Sequence, residues 1–160
     1  MACVRQWDVR VTAKVDYAVR ALVELVPANP TAPTKADQLS GAQDIPVRFL
    51  LNILSELKVA KLVASRRGAD GGYWLARPAS EVSVADVIRA VEGPLADVHG
   101  VPPELLDYRP PADGLRDVWL ASRAALRRIL EHVTVADIAA GALPAVVADE
   151  LAQPGAWERR

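Results

Sequence analysis

Ile45-Pro46-Val47-Arg48-Phe49-Leu50-Leu51-Asn52-Ile53-Leu54-Ser55-Glu56-Leu57 decides how this chain folds. Leu50, Ile53, Leu54 and Leu57 recur at intervals of three and one, which stacks them along one face of a 3.6-residue helix. The opposite face carries Arg48, Leu51, Asn52, Ser55 and Lys58, open to solvent or to a partner. Upstream, Thr34-Lys35-Ala36-Asp37 has the form of a capping box, in which the Thr34 hydroxyl and the Asp37 carboxylate accept from exposed amides, and it predicts the start of a preceding helix. Downstream, Val63-Ala64-Ser65-Arg66-Arg67 and Tyr73-Trp74-Leu75-Ala76-Arg77-Pro78 flank the turn Gly68-Ala69-Asp70-Gly71-Gly72. Short β-branched and aromatic runs around a glycine-rich turn predict a hairpin. Residues 34 to 75 therefore read as a helix-turn-helix followed by a two-stranded wing.

Working outward, Thr12 caps a helix running to about Val26, with apolar positions 15, 18, 19, 22, 25 and 26 facing a core and Asp16, Arg20 and Glu24 outside. Residues 27 to 33 hold three prolines and form a loop. Ser83 to Gly93 is a capped helix, Ser83 and Asp86 repeating the capping box and Gly93-Pro94 ending it. Residues 94 to 113 hold five of the twelve prolines and no regular period, a long irregular connector of the kind that is often functional.

From Leu115 to His132 apolar groups recur at positions 115, 118, 119, 122 (a small serine), 126, 129 and 130, continuing to 133, flanked by Arg116, Arg123, Arg127 and Arg128. So long a stripe needs a partner surface. Because the preceding domain already fills its own core, the same helix of a second subunit is the expected partner, through Leu115, Trp119, Ser122, Leu126, Ile129 and Val133. Thr134 to Ile138 starts one more short helix, and beyond Gly141 the alanine-rich, proline-interrupted tail is weakly specified.

The expected fold class is mainly α with a small β-hairpin, a winged helix-turn-helix plus a long dimerisation helix. The expected division is a flexible leader over 1–9, the DNA-binding domain over 10–93, the proline-rich connector over 94–113, the dimerisation and following helices over 114–140, and the tail over 141–160. No apolar run reaches the length of a membrane span, and no signal peptide is evident, so a soluble cytoplasmic protein is expected. The single cysteine, Cys3, excludes an intramolecular disulfide framework and a metal site held mainly by thiolates.

The net charge of −1 hides an asymmetry. Residues 1–80 carry 11 Lys and Arg against 7 Asp and Glu, a balance of +4, whereas residues 81–160 carry 8 against 13, a balance of −5. Positive charge accompanies the exposed helix face and the wing, which suits a phosphate-facing surface on an acidic body. Arg48 and Asn52 lie one turn apart, and their chemistry suits guanine and adenine edges respectively. Arg66 and Arg67 precede a glycine turn that lets backbone approach a duplex, and narrow minor grooves attract arginine. Lys14 and Lys35, each just inside a helix start, are candidate phosphate contacts. No phosphate-binding loop, paired metal histidines or nucleophile elbow is present, so an enzyme is not expected.

Val11-Thr12-Ala13-Lys14 leading into Tyr17-Ala18-Val19-Arg20-Ala21-Leu22, Arg67-Gly68 through Gly71-Gly72-Tyr73-Trp74-Leu75-Ala76-Arg77-Pro78, and Ala85 to Gly93 resemble one family over roughly residues 10–140. It is the family of winged-helix bacterial regulators that includes the iron-sulfur cluster regulator IscR, the nitric-oxide sensor NsrR and the cysteine-metabolism repressor CymR. The resemblance implies a homodimeric transcriptional regulator of double-stranded DNA, expected to be a repressor, paired through the long helix. Arg48 and Asn52 then fall on base-reading positions, and Arg66, Arg67, Gly68, Gly71, Gly72 and Tyr73 on the wing. The sequence departs from the family in three places. Members that bind a cluster place three cysteines in the loop matching 94–113, where this chain has none. Leu51 stands where members often carry a polar base-reading side chain, and Asp70 adds negative charge at the wing tip. No cofactor is expected; a mixed-ligand iron-sulfur cluster through Cys3, His99 and a carboxylate is the disfavoured alternative. Rival readings are a protein-interaction module docking a metabolic enzyme, and a regulator gated by a sulfur metabolite through the 94–113 loop, with Trp74 or Trp119 lining an effector pocket. Both tryptophans are read first as core, and His99 and His132 as solvated or satisfied.

Overall fold

The computed structural model describes residues 11–158, so the expected leader and Cys3 lie outside the described residues. Seven α-helices and one hairpin follow in the order α1 (Ala13–Glu24), α2 (Ala36–Gln43), α3 (Val47–Val59), β1 (Val63–Arg66), β2 (Gly72–Leu75), α4 (Val84–Val91), α5 (Leu115–Leu130), α6 (Val135–Ala140) and α7 (Ala145–Leu151). Short 3₁₀ turns occupy Ala79–Glu81 and Pro103–Leu105. The described residues are mainly α with one antiparallel hairpin, as the patterning predicts.

Helix starts follow local chemistry where that chemistry is uncontested. The Thr12 hydroxyl accepts from the Val15 amide at 3.2 Å. Ser83 and Asp86 exchange two hydrogen bonds of 3.1 Å, and Thr134 and Asp137 form the same reciprocal pair. The Thr134 hydroxyl and amide both donate to the Asp137 carboxylate and hold its pKa below the usual value.

The start of α2 differs from expectation. Lys35, and not Thr34, is the residue before the helix, and its amide donates to the Gln38 carboxamide oxygen at 2.9 Å. Thr34 is held extended because its backbone pairs with Tyr73 in β2, through hydrogen bonds of 3.0 and 2.8 Å. Asp44 then takes a left-handed conformation (φ 51°) at the end of α2, and the Ser40 hydroxyl donates to the Ile45 carbonyl at 2.7 Å, closing the turn into α3.

Leu50, Ile53, Leu54 and Leu57 of α3 are buried against Leu22 and Leu25 of the first helix and its end, with Leu39 of α2 and Leu62 completing the layer. Burying each such side chain stabilises the fold by roughly 1.5–3 kcal/mol. The face of α3 opposite these residues is exposed, which is the condition for it to meet a partner.

The C-terminal half corrects the sequence reading twice. The Val133 carbonyl accepts from the Val84 amide and the Val82 carbonyl from the Val135 amide, each at 2.9 Å; Val133 and Val135 are both buried, and Val135 belongs to the core of the winged domain. Val133 therefore leaves the candidate dimer surface, because the apolar stripe of α5 ends where the chain turns back into its own core. The tail also forms a helix, α7, anchored to α5 by an Arg128–Glu150 ion pair. In contrast, none of the sixteen residues of α5 is buried.

Candidate nucleic-acid interface

Between the start of α2, the exposed face of α3 and the wing runs an open groove of about 480 Å³. Its lining includes Lys35, Leu51, Ser55, Lys58, Arg66, Arg67, Gly68, Gly71, Gly72 and Tyr73, four cations and no carboxylate. Side chains from three separate elements converge there because the wing folds back beside α3. The register is fixed by the Val63–Leu75 to Arg66–Gly72 pairs and by the Thr34–Tyr73 bridge beyond them.

Of the residues singled out in the sequence, Lys35 and the whole wing set meet in this groove, whereas Arg48 and Asn52 lie on the neighbouring exposed part of α3. Among the described residues, no ion pair involves Arg48, Arg67 or Lys35. The Arg66 guanidinium donates to the Asp70 carbonyl at 2.9 Å across the turn, and Arg67 beside it is exposed.

Lys14 is placed differently. Its ammonium donates to the Val91 carbonyl at 2.7 Å and pairs with Glu56 at 2.8 Å, tying α1 to α3 and α4. A cation so engaged is not a phosphate contact, and Lys14 is removed from that set. Lys58, which periodicity places only on a solvent face, takes its role from the hairpin: its ammonium donates to the Ser65 hydroxyl at 2.8 Å across the groove.

The wing glycines divide by function. Gly68 has φ +105° in open space at the exposed turn, which its carbonyl closes by accepting from the Gly71 amide at 3.0 Å. Gly71 and Gly72 are buried. A Cβ on Gly71 would overlap the Arg66 carbonyl, and one on Gly72 would come within 2.7 Å of the Thr34 carbonyl oxygen. These two glycines admit the chain's own backbone; only Gly68 is free to approach a partner.

A second, smaller groove of about 370 Å³ lies at the connector and is lined in part by Arg89, Leu95, Glu104, Arg123 and Arg127. Glu104 pairs with Arg123 at 2.7 Å; a hydrogen bond from its own backbone and the Arg123 contact hold its carboxyl below the usual pKa. Neither Trp74 nor Trp119 lines either groove, and the Trp119 indole donates to the Tyr108 hydroxyl at 3.1 Å. No helix among the described residues is long and apolar enough to cross a membrane.

Comparison with known proteins agrees with this geometry. The family model Rrf2, described as an iron-dependent transcriptional regulator, matches residues 11–141. A Mycobacterium tuberculosis chain named as an HTH-type transcriptional regulator, Rv1287, is 50% identical over 139 residues, covering 87% of this chain and 86% of that one. The HTH-type transcriptional regulator CymR of Bacillus subtilis is 30% identical over 130 residues, covering 81% and 89%. Among solved structures, CymR, the global cysteine regulator of B. subtilis, superposes with a TM-score of 0.69 at 29% identity over 84% of this chain and 98% of its own. The T. potens IscR gives 0.66 at 28% over 91% and 93%.

The iron in the family description does not fit the residues described. Among them no three His, Cys, Asp or Glu side chains come together in a group that could hold a metal ion, and the connector offers one histidine and carboxylates without a thiol. What the chain shares with these relatives is the regulator architecture itself: it belongs to the Rrf2 family and is a DNA-binding, helix-turn-helix transcriptional regulator, not an enzyme.

Proposed function

We propose that the protein is a homodimeric, sequence-specific repressor that grips duplex DNA from both grooves and works in the cytoplasm without a cysteine-ligated iron-sulfur cluster. The observation that carries this reading is the groove between α3 and the wing, lined by four cations and no carboxylate beside an exposed Arg48 and Asn52. In the major groove Arg48 pairs bidentately with guanine and Asn52 with adenine. Arg67 enters the adjacent minor groove, and Lys35, Lys58 and Arg66 meet phosphates. Pairing of α5 with its copy, through Leu115, Trp119, Ser122, Leu126 and Ile129, sets two such heads side by side. That pairing explains an amphipathic helix of sixteen residues with none buried in its own chain. A dimer seated on a promoter blocks polymerase by occupancy. A single cysteine per chain leaves too few thiolates for a cluster held by cysteines.

Selection of genomic fragments by the purified protein tests the reading. Enriched fragments should share two half-sites with centres about 34 Å apart, one helical turn; recovery of random sequence alone defeats it. Arg67→Ala should weaken binding most on duplexes whose half-sites are flanked by A·T runs, by about 1–2 kcal/mol from the loss of one charge-assisted contact in a narrow minor groove. Competition between A·T- and G·C-flanked duplexes measures it, and equal loss on both reassigns Arg67 to phosphate.

A second layer, gating by a small molecule at the connector groove, would use arginines that are already paired, Arg123 with Glu104 and Arg89 and Arg127 with Glu131, so an anionic ligand there has to displace those carboxylates. A sulfur-containing amino acid that bound there would shift both melting temperature and operator affinity.

A further inference from the structure

The exposed face of α3 is built as two neighbouring rows. With about 100° between successive residues, Arg48 and Asn52 make a polar row one turn apart, and Val47 and Leu51 make an apolar row beside it. Val47 is 39% and Leu51 43% exposed, and Leu51 lies in the groove that faces the wing. Leucine has no donor or acceptor, so it reads no base edge by hydrogen bonding. In the major groove one feature of a base offers it a complementary surface, the C5-methyl of thymine.

We propose that Leu51 is a specificity-determining residue that selects thymine at one position of each half-site by packing against the thymine methyl. The inference rests on the duplex-reading function proposed above. Leu51 follows Arg48 by three residues and precedes Asn52 by one, so a helix placed to bring those two to base edges brings Leu51 there as well. The surroundings select nucleic acid over an apolar protein side chain as the occupant. Lys35, Lys58, Arg66 and Arg67 frame Leu51 with no carboxylate among the groove residues, and a polyanion offsets that charge where an apolar peptide leaves it uncompensated. Apolar contact at the centre with phosphates at the rim is the combination a thymine step supplies.

The test uses an operator duplex selected by the full chain, in which each thymine is replaced in turn by uracil. That exchange removes one methyl and leaves the pairing and the O4 acceptor intact. For the wild-type chain one thymine per half-site should be sensitive, with about fourfold weaker binding per methyl, the factor expected for burial of one carbon unit. Leu51→Ala should bind the thymine and uracil duplexes equally, and Leu51→Met, which keeps an apolar side chain of similar reach, should retain the preference. Circular dichroism spectra and thermal unfolding midpoints close to wild type report an intact fold for both variants. A wild-type chain indifferent to every thymine-to-uracil exchange, or a Leu51→Ala chain that keeps the wild-type pattern, overturns the proposal while leaving DNA binding in place. Loss of salt-sensitive binding to every duplex by the wild-type chain overturns the duplex reading itself, and this proposal with it.

Discussion

Operator affinity should fall by roughly 10⁴ when monovalent salt rises from 50 to 200 mM, within the range of 10³ to 10⁵ for proteins that neutralise six to ten phosphates. The groove supplies Lys35, Lys58, Arg66 and Arg67 from each chain. Counting the three phosphate contacts and the minor-groove Arg67, each of which displaces a counterion, a dimer neutralises about eight phosphate charges, and a slope near −0.9 per charge gives about −7 on a double-logarithmic plot. The hydrogen bond from Lys58 to the Ser65 hydroxyl does not reduce this number, because a neutral acceptor leaves the ammonium charge in place. Fluorescence anisotropy of a labelled operator at four or five salt concentrations gives the slope directly. A slope of about −2 would mean that the cationic rim stands off the duplex, and the two-groove grip could not be kept.

Leu126→Glu should convert the protein to a monomer and weaken operator binding by about 10² to 10⁴, the gain that linking two binding heads ordinarily brings. The reasoning starts from α5, none of whose residues is buried although Leu115, Trp119, Leu126 and Ile129 mark one side of it. A carboxylate at the centre of a self-paired stripe meets its own copy across the two-fold axis, where like charges repel and desolvation adds to the cost. Sedimentation of the variant should report a single chain at micromolar concentration. Its affinity for one isolated half-site should match wild type, since α3 and the wing lie elsewhere in the fold. A variant that remains a dimer places the pairing surface elsewhere, and a variant that also loses half-site binding points to damage in the winged domain.

What the sequence made legible is what short-range chemistry decides. Thr12, Ser83 and Thr134 cap helices as expected because each hydroxyl reaches an amide three residues along, and nothing distant competes. Leu50, Ile53, Leu54 and Leu57 turn inward because their spacing leaves them one common face. The departures come from partners far away in the chain. Thr34 forms no cap because Tyr73 claims its backbone, Lys14 is taken by Glu56 and by the Val91 carbonyl, and Val133 turns inward because Val84 pairs with it. None of these competitors lies within a helical turn, so local pattern could not weigh them. Lys58 reads from the sequence as an exposed cation, yet its place in the groove depends on how the hairpin packs on α3, which periodicity does not encode. Gly71 and Gly72 are the residue type the turn requires, and the reason lies outside local pattern: their missing side chains make room for the protein's own main chain.

The bridge between Thr34 and Tyr73 stitches β2, one pair from the turn of the wing, to the segment that leads into α2. The Ser40–Ile45 and Lys58–Ser65 hydrogen bonds carry that constraint on to α3, so helix and finger sit as the two jaws of one caliper. Under the proposed two-groove grip, every promoter that this regulator recognises presents its helix-read base pairs and its finger-touched step at one constant offset, and variation among its targets is confined to the letters at those places.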